Sequence, residues 1–300
     1  MCSLSSITVR MVVLPLLLGD HEFEAEGIAF AYSVSGSGPP LVVQSVGWGM
    51  SSTLYRQTLR PLEADFTVVY FEPRGNGRSS RPVSEKEMST TVQVNDLEHL
   101  RLHLGLLSMA VLGHSSGGAI ALGYAECFPA HVSKLVLVDH SLQDFNTDNF
   151  QHFATIRKNH PIYGPALQAL MTLMIKFPET DEELSKELIQ ALPYYFADTS
   201  KTHIVMENLG PPVSAWAFNA HRIYDEESPF SHVAGLHLVT ADTLILCGRE
   251  DGICSVAAAE RTEKGVKRCR LVVVEGAGHF PWIEKPNNFF PVVVKFLKAE

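Results

Sequence analysis

The sequence predicts an α/β protein in which helices flank a mostly parallel sheet of eight strands. Short apolar runs bounded by turn residues alternate along the chain with segments of helical periodicity, which is typical of a parallel sheet covered on both faces. The chain has 300 residues, enough for one large domain with an insertion. Its composition, 46% hydrophobic and 19% charged, is that of an ordinary folded protein.

The strand and helix segments can be assigned in order. The strand segments share apolar centres and turn-forming flanks, and they are residues 23–26, 28–33, 41–46, 66–71, 108–112, 135–139, 243–247 and 270–274. The first two surround Gly27 and predict an antiparallel hairpin. The helical segments are residues 51–62, 90–104, 119–127, 255–263 and 288–298. The first of these follows a Ser/Thr-rich cap and ends near Pro61.

The alternation of strands and helices stops after His140. No strand pattern occurs until about residue 232, and the intervening helical segments are separated by prolines: residues 150–159, 165–175, 181–192, 199–209 and 214–224. We therefore expect residues 1–140 and 233–300 to form the α/β core. We expect residues 141–232 to form an inserted helical cap, or lid.

Charge and cysteine content limit the classes of partner. The formal net charge is −9 and no cluster of lysine and arginine occurs, which argues against nucleic acid or an anionic membrane as a partner and favours a small-molecule substrate. The five cysteines are odd in number and have no CxxC spacing, which favours free thiols and a cytoplasmic location. The oligomeric state stays open.

An apolar run near the start of the chain superficially resembles a signal peptide. It covers residues 11–18 and contains Pro15, and no small-x-small cleavage site follows it. It is also too short to span a bilayer. We expect it to form a first strand or a tail that packs on the domain.

The segment Gly113-His114-Ser115-Ser116-Gly117 carries the strongest functional signal. It matches the strand–turn–helix pattern in which a serine occupies a sharp, strained corner with its hydroxyl exposed above the sheet. A corner this tight requires residues without a Cβ atom two positions on either side. The helix dipole also favours negative charge at this point. Ser115 is therefore the candidate nucleophile.

An acid and a histidine follow Ser115 at the ends of later strands, in the order that this pattern requires. Asp251 lies just after the strand at residues 243–247 and is the candidate acid, with Glu250 and Asp139 as rivals. His279 follows the last strand between glycine-rich residues and is the candidate base. The separation of 28 positions between Asp251 and His279 leaves room for one helix and one strand, so both loops can lie at one edge of the sheet.

Acyl transfer also needs two N–H donors directed at the developing oxyanion. The corner itself supplies the backbone N–H of Ser116. The second donor should come from the loop after residues 41–46, where Trp48 stands between Gly47 and Gly49 and the glycines allow close approach of the backbone.

Four motifs together resemble the α/β-hydrolase fold family, in the branch of proline iminopeptidase-like proteins and esterases. They are Gly113-His114-Ser115-Ser116-Gly117-Gly118, Arg74-Gly75-Asn76-Gly77-Arg78-Ser79, Gly248-Arg249-Glu250-Asp251 and Gly278-His279-Phe280. The resemblance implies an α/β-hydrolase fold, a Ser-His-Asp triad and no metal or organic cofactor. Two departures are visible: Val46-Gly47 replaces the usual His-Gly, and the loop lacks the His-Gly-Gly-Pro-Gly of proline iminopeptidases.

The residues favour a serine hydrolase acting on an ester, lactone or amide of a small, largely apolar substrate. An aminopeptidase of the iminopeptidase type is an alternative, with cap carboxylates as amine anchors: Glu207, Asp225, Glu226 and Glu227. A ligand-binding protein with a vestigial triad is another. A biosynthetic enzyme that cleaves carbon–carbon bonds or cyclises its substrate is a third. Serine at residue 115 disfavours epoxide and haloalkane chemistry, which needs a carboxylate nucleophile.

Overall fold

A computed structural model describes residues 16–299 of the chain. These residues contain one eight-stranded sheet of order β1-β2-β4-β3-β5-β6-β7-β8. The strands are β1 Gly19–Ala25, β2 Ile28–Gly36, β3 Pro40–Gln44, β4 Thr67–Glu72, β5 Met109–His114, β6 Val132–Val138, β7 Asp242–Gly248 and β8 Cys269–Val274. Strand β2 is antiparallel to both β1 and β4, and the other pairs are parallel. The predicted fold class is confirmed, including the opening hairpin.

Helices fill the connections between strands. They are α1 Thr53–Thr58, α2 Thr90–His103, α3 Ser115–Cys127, α4 Asn149–Arg157, α5 Tyr163–Ile175, α6 Asp181–Ala191, α7 Thr202–Asn208, α8 Ala215–Glu227, α9 His232–Gly235, α10 Val256–Gly265, α11 Pro281–Glu284 and α12 Pro286–Lys298. Short 3₁₀ turns cover Arg60–Ala64, Glu85–Met88, Pro129–His131, Leu192–Tyr195, Thr199–Lys201 and Leu236–Leu238. The helix predicted at residues 51–62 is thus split, because Pro61 has no N–H to continue the α-helical bonding.

Two apolar layers cover the faces of the sheet, because successive side chains of a strand point to opposite sides. On one face Val42 and Val111 pack with residues of helices α2, α3 and α10. On the other face Leu41, Val43 and Leu112 pack with residues of α1 and α12. Burial on both faces makes the central strands rigid, so the loops at their carboxyl ends are held in fixed relative positions.

Helices α4 to α8 all lie between β6 and β7, in the segment where the sequence predicts an inserted cap. Residues of α4, α5, α6 and α8 share an apolar cluster that includes Leu167, Leu170, Leu184 and Phe218. Val205 of α7 packs instead in the apolar layer that contains α1 and α12. Arg157 at the end of α4 joins this segment to the loop after β7, since its guanidinium donates to the carbonyl oxygens of Tyr194 (2.9 Å) and Glu250 (2.8 Å).

The predicted N-terminal strand or tail at residues 11–18 lies mostly outside the described residues. Within them, Leu16 packs against the core, and Leu17 and Leu18 are exposed. Cys127, Cys247, Cys254 and Cys269 are free thiols. Across residues 16–299, no helix combines the length and apolar character needed to cross a bilayer.

Candidate active site

Ser115 occupies a strained corner between β5 and α3. Its backbone φ is +54°, in the left-handed region that residues with a side chain rarely adopt. A Cβ on Gly113 would lie 2.5 Å from the carbonyl oxygen of Gly117, and one on Gly117 would lie 2.7 Å from the carbonyl oxygens of Gln44 and Ser45. Both glycines are therefore required by crowding, and they let the helix approach β5 and β3 closely.

The loops after β7 and β8 bring Asp251 and His279 together. The Nδ1 atom of His279 lies 2.8 Å from Oδ2 of Asp251, and both side chains are buried. The loops can touch because Gly248 has no side chain: a Cβ there would stand 2.0 Å from the carbonyl oxygen of Gly278. The N–H of Glu250 also donates to the carbonyl oxygen of Ala277 at 3.0 Å.

The backbone of His279 is fixed on both sides. Its N–H donates to the carbonyl oxygen of Tyr195 at 2.7 Å. Its own carbonyl oxygen accepts from Nε2 of His114 at 2.8 Å, which leaves Nδ1 of His114 to accept from the Tyr55 hydroxyl at 2.9 Å. Burial, together with the nearby His279, holds the pKa of His114 well below its usual value. His114 is thus a neutral side chain that supports the backbone of His279.

The two rival acids occupy different positions. Glu250 makes no hydrogen bond to His279 among the described residues, and its carbonyl oxygen is bonded to Arg157. Asp139 lies at the end of β6 and contacts Asp251 rather than His279. Of the three carboxyl groups, only that of Asp251 is hydrogen-bonded to the imidazole of His279 in the described structure.

Cys254 is a further neighbour of this group that the sequence analysis does not predict. Atoms of Asp251, Cys254 and His279 lie within 4.8 Å of one another, and Cys254 lines the same cavity as Ser115. Burial and the charge of Asp251 raise the pKa of the Cys254 thiol well above its usual value. The thiol is therefore neutral and far less nucleophilic than a thiolate.

The two predicted oxyanion donors lie at the carboxyl ends of adjacent strands β3 and β5. In the described part of the chain, the N–H groups of Trp48 and Ser116 donate to no protein acceptor. Trp48 has a φ of +55° between two glycines that also have positive φ. Trp48 is thus held in a backbone conformation that is unusual for a residue with a side chain. Backbone strain of this kind is concentrated at functional sites.

Asn76 holds the loop that contains Trp48. Its Oδ1 atom accepts from the N–H of Gly49 at 2.6 Å, and its Nδ2 atom donates to the carbonyl oxygen of Arg74 at 2.7 Å. The carbonyl oxygen of Gly49 in turn accepts from the N–H of Ser214 at 3.0 Å. The Trp48 loop is thus tied to both the loop after β4 and the helical segment.

We expect replacement of Asn76 by alanine to lower kcat about tenfold, with a smaller change in KM. The substitution leaves the buried N–H of Gly49 without its acceptor, so the neighbouring N–H of Trp48 is no longer held in place. Steady-state kinetics on a p-nitrophenyl ester measures the effect. Asn287→Ala, an exposed position on α12, is the control. An unchanged kcat in Asn76→Ala would show that this bond does not support catalysis.

A cavity of about 240 Å³ opens beside these residues. Ser115, Ser116, His279 and Trp48 line it, and apolar side chains form much of the rest: Val46, Met50, Leu54, Leu188, Leu192, Val205, Leu209, Phe218, Ile253 and Phe280. A second cavity of about 340 Å³ shares Trp48 and Phe218 with the first. Predominantly apolar walls with a few placed polar groups are typical of small-molecule sites.

One charged group faces this cavity from α8. Asp225 lines it, and its carboxylate accepts from the N–H of Thr90 (2.7 Å), the hydroxyl of Thr90 (2.8 Å) and Nε2 of Gln143 (2.6 Å). Its Oδ2 also lies 3.0 Å from Nε2 of His221. These hydrogen bonds hold the pKa of Asp225 below its usual value despite burial. The carboxylate is charged, and protein donors occupy its oxygens.

Two buried residues that shape the site carry no sequence signal for their roles. Asn76 belongs to the glycine-rich motif at residues 74–79, and that motif does not indicate what its amide binds. Glu284 accepts from the N–H groups of Gly278 (2.6 Å), Ala197 (2.9 Å) and Asp198 (2.8 Å) and so joins the His279 loop to the helical segment. Its partners are distant in sequence, and no local pattern marks it.

Comparison with known proteins gives a family match over most of the chain. The family model described as alpha/beta hydrolase fold matches residues 40–286. Epoxide hydrolase 4 of Mus musculus is 25% identical, over 94% of this chain and 81% of the relative. Proline iminopeptidase PfmaB of Pestalotiopsis fici is 26% identical, over 92% of this chain and 97% of the relative.

Solved structures share the architecture at lower identity. An alpha/beta fold family hydrolase from Bacillus anthracis superposes with a TM-score of 0.74 at 19% identity, covering 92% of this chain and 98% of that one. The esterase RhEst1 from Rhodococcus sp. ECU1013 gives a TM-score of 0.72 at 21% identity, with coverage of 94% and 99%. These structures support the fold.

Proposed function

Because the chain belongs to the α/β-hydrolase family, we propose that it is a serine hydrolase that cleaves a carboxylic ester, lactone or amide of a small, largely apolar substrate. One observation carries the proposal: Ser115 shares a cavity with His279, whose Nδ1 atom is bonded to the buried Asp251. A hydroxyl, an imidazole and a carboxylate in this arrangement are the parts of a nucleophilic triad.

The hydrogen bonds of His279 define its role in the proposed reaction. Nδ1–H donates to Asp251, so the neutral ring carries its lone pair on Nε2. Nε2 takes the proton of Ser115 as the hydroxyl attacks the substrate carbonyl, and Asp251 stabilises the imidazolium that forms. The N–H groups of Ser116 and Trp48 bind the oxyanion. His279 then returns the proton to the leaving group, and water cleaves the acyl-enzyme.

We propose that residues 141–232 form a cap that selects the substrate. Leu188, Leu192, Val205, Leu209 and Phe218 belong to this segment and line the cavity. Their apolar side chains favour an acyl or alcohol group of similar character.

Two named relatives suggest other reactions, and residues of this chain argue against each. Epoxide opening needs a carboxylate nucleophile, and the corner residue here is serine. An aminopeptidase needs a carboxylate free to receive the substrate amine. Of the cap carboxylates named as amine anchors, Asp225 lines the cavity beside Ser115, and its oxygens already accept from Thr90 and Gln143.

Covalent labelling tests the nucleophile directly. We expect the Ser115 oxygen to displace fluoride from a fluorophosphonate probe, so that the peptide containing Ser115 gains the mass of the phosphonyl group, and we expect the Ser115→Ala variant to remain unlabelled. Turnover of p-nitrophenyl esters, compared with aminoacyl arylamides, separates an esterase from an aminopeptidase. A different result would contradict the proposal: the probe and the ester raise the melting temperature, but the probe does not label the protein and the ester is not turned over. That result would support a ligand-binding protein instead.

A further inference from the structure

Two buried carboxyl groups meet at the ends of neighbouring parallel strands. Asp139 follows β6 and Asp251 follows β7, and each is 1% exposed. The N–H of Asp139 donates to the carbonyl oxygen of Leu246 at 2.9 Å. Its Oδ1 atom accepts from the N–H of Gly248 at 2.8 Å. Asp139 has a φ of +39°, so an unusual backbone conformation places its side chain against the β7 turn.

The second oxygen of Asp139 has no donor among the described residues. This Oδ2 atom is inaccessible to solvent, and its carboxyl group lies within hydrogen-bonding reach of Asp251. Both oxygens of Asp251, in contrast, have a hydrogen-bond donor. Its Oδ1 accepts from the N–H of Ile253 at 2.7 Å, and its Oδ2 accepts from Nδ1 of His279 at 2.8 Å. The unsatisfied oxygen and the contact between two carboxyl groups therefore require a common explanation.

Within residues 16–299, the other ionisable groups that face Asp139 supply no positive charge. Cys247 contacts it, and Cys254 faces Asp251. Burial raises the pKa of both thiols well above its usual value, so they are neutral. Two carboxylates in contact and away from water cannot both be ionised without a large electrostatic cost, and one of them retains a proton. Burial and the neighbouring Asp251 raise the pKa of Asp139 well above its usual value.

We propose that Asp139 is a positioning residue that stays protonated and donates a hydrogen bond from Oδ2 to the carboxylate of Asp251. Asp251 then has three donors, namely Asp139, the N–H of Ile253 and the imidazole of His279, and it is fixed in the orientation that His279 needs. The proton stays on Asp139 throughout turnover, and no bond to Asp139 forms or breaks. The inference rests on the function proposed above.

Asparagine and alanine at residue 139 separate this arrangement from its alternatives. The amide of Asp139→Asn accepts from Gly248 and donates to Asp251, as the protonated acid does. We expect this variant to keep kcat within about threefold of wild type at pH 7. Asp139→Ala removes the donor, and we expect it to lower kcat about tenfold or more with KM little changed. A tenfold loss in Asp139→Asn would show that residue 139 must carry a negative charge, which overturns the proposal.

Stability as a function of pH gives a second readout that does not depend on turnover. The folded chain keeps a proton on Asp139 that the unfolded chain releases above about pH 4, so wild-type stability falls as pH rises through this range. Asparagine does not titrate, so the stability of Asp139→Asn does not fall with pH for this reason. We expect its melting temperature to match wild type near pH 4 and to exceed it increasingly toward pH 8.

The exposed Asp148→Asn variant controls for the loss of one carboxylate. A difference between Asp139→Asn and wild type that is flat with pH, or that falls, would overturn the protonated state even if the alanine variant failed to fold. Failure of the proposed function is recognised separately. In that case Ser115→Ala leaves turnover unchanged, whereas the pH dependence of the melting temperature still reports the proton on Asp139.

Discussion

Replacement of Ser115 by alanine is expected to lower kcat for ester hydrolysis by ~10³-fold or more. The substitution removes the one hydroxyl that attacks the substrate carbonyl, and no acyl-enzyme can form without it. Cys254 does not replace it, because its buried thiol is neutral. Backbone strain at this corner does not complicate the test. The φ of +54° at residue 115 is unfavourable for alanine, but it is equally unfavourable for serine. We therefore expect the stability of the fold to change little.

Steady-state kinetics on a p-nitrophenyl ester measures this loss, and a thermal melt confirms that the variant folds. The matched control is Ser108→Ala, which removes an exposed serine just before the opposite end of β5. We expect the control to keep wild-type kcat. Unchanged turnover in a folded Ser115→Ala variant would remove the nucleophile assignment and, with it, the proposed reaction.

The fold could be predicted from the sequence because its determinants are local. Strand β5, the corner and helix α3 are encoded within about twenty consecutive residues, where apolar runs and glycines repeat at the spacings that each element requires. Element ends were less predictable. The strand predicted at residues 41–46 ends at Gln44. Ser45 still bonds to Phe71 of β4, but the loop from Gly47 to Gly49 has positive φ values and bonds to Asn76, so the extended strand cannot continue.

The supports of the candidate site could not be predicted, because they join residues far apart in the chain. His114 holds the carbonyl of His279 from 165 residues away, and Asn76 holds Gly49 from 27 residues away. The contact of Asp139 with Asp251 depends on β6 and β7 being neighbours, which the sequence does not state. From the sequence, Asp139 is only a rival candidate for the acid. Its place beside the other acid follows from the strand order.

Residues 141–232, the proposed cap, show the same division between what local sequence predicts and what depends on packing. Its helices follow from periodicity, but which side chains face the substrate depends on how the helices pack. Among the aromatic residues of this segment, Tyr195 and Phe218 line the cavity beside Ser115. Phe150 and Phe153 instead pack against the apolar cluster within the segment. A helical pattern marks the apolar face of a helix, and that face can contact either a neighbouring helix or a cavity.

Replacement of His279 by alanine is expected to lower kcat by ~10³-fold or more, because Ser115 loses the base that accepts its proton. His279 is 2% exposed, so the substitution leaves a space close to the size of an imidazole ring beside Asp251. We therefore expect added imidazole to restore part of the activity. It should give no recovery to Ser115→Ala, in which the base is intact. His152→Ala, at an exposed position of α4, is the control for loss of a histidine.

The double variant Ser115→Ala/His279→Ala tests whether the two residues act as one unit. Residues that serve a single proton transfer are strongly non-additive, so we expect the double variant to be no slower than the slower single variant. The residual rate then comes from substrate binding and from the N–H donors of Ser116 and Trp48, which neither substitution removes. Losses that multiply in the double variant would mean that Ser115 and His279 contribute independently. Such a result would contradict proton transfer between them, even if each single variant were inactive as expected.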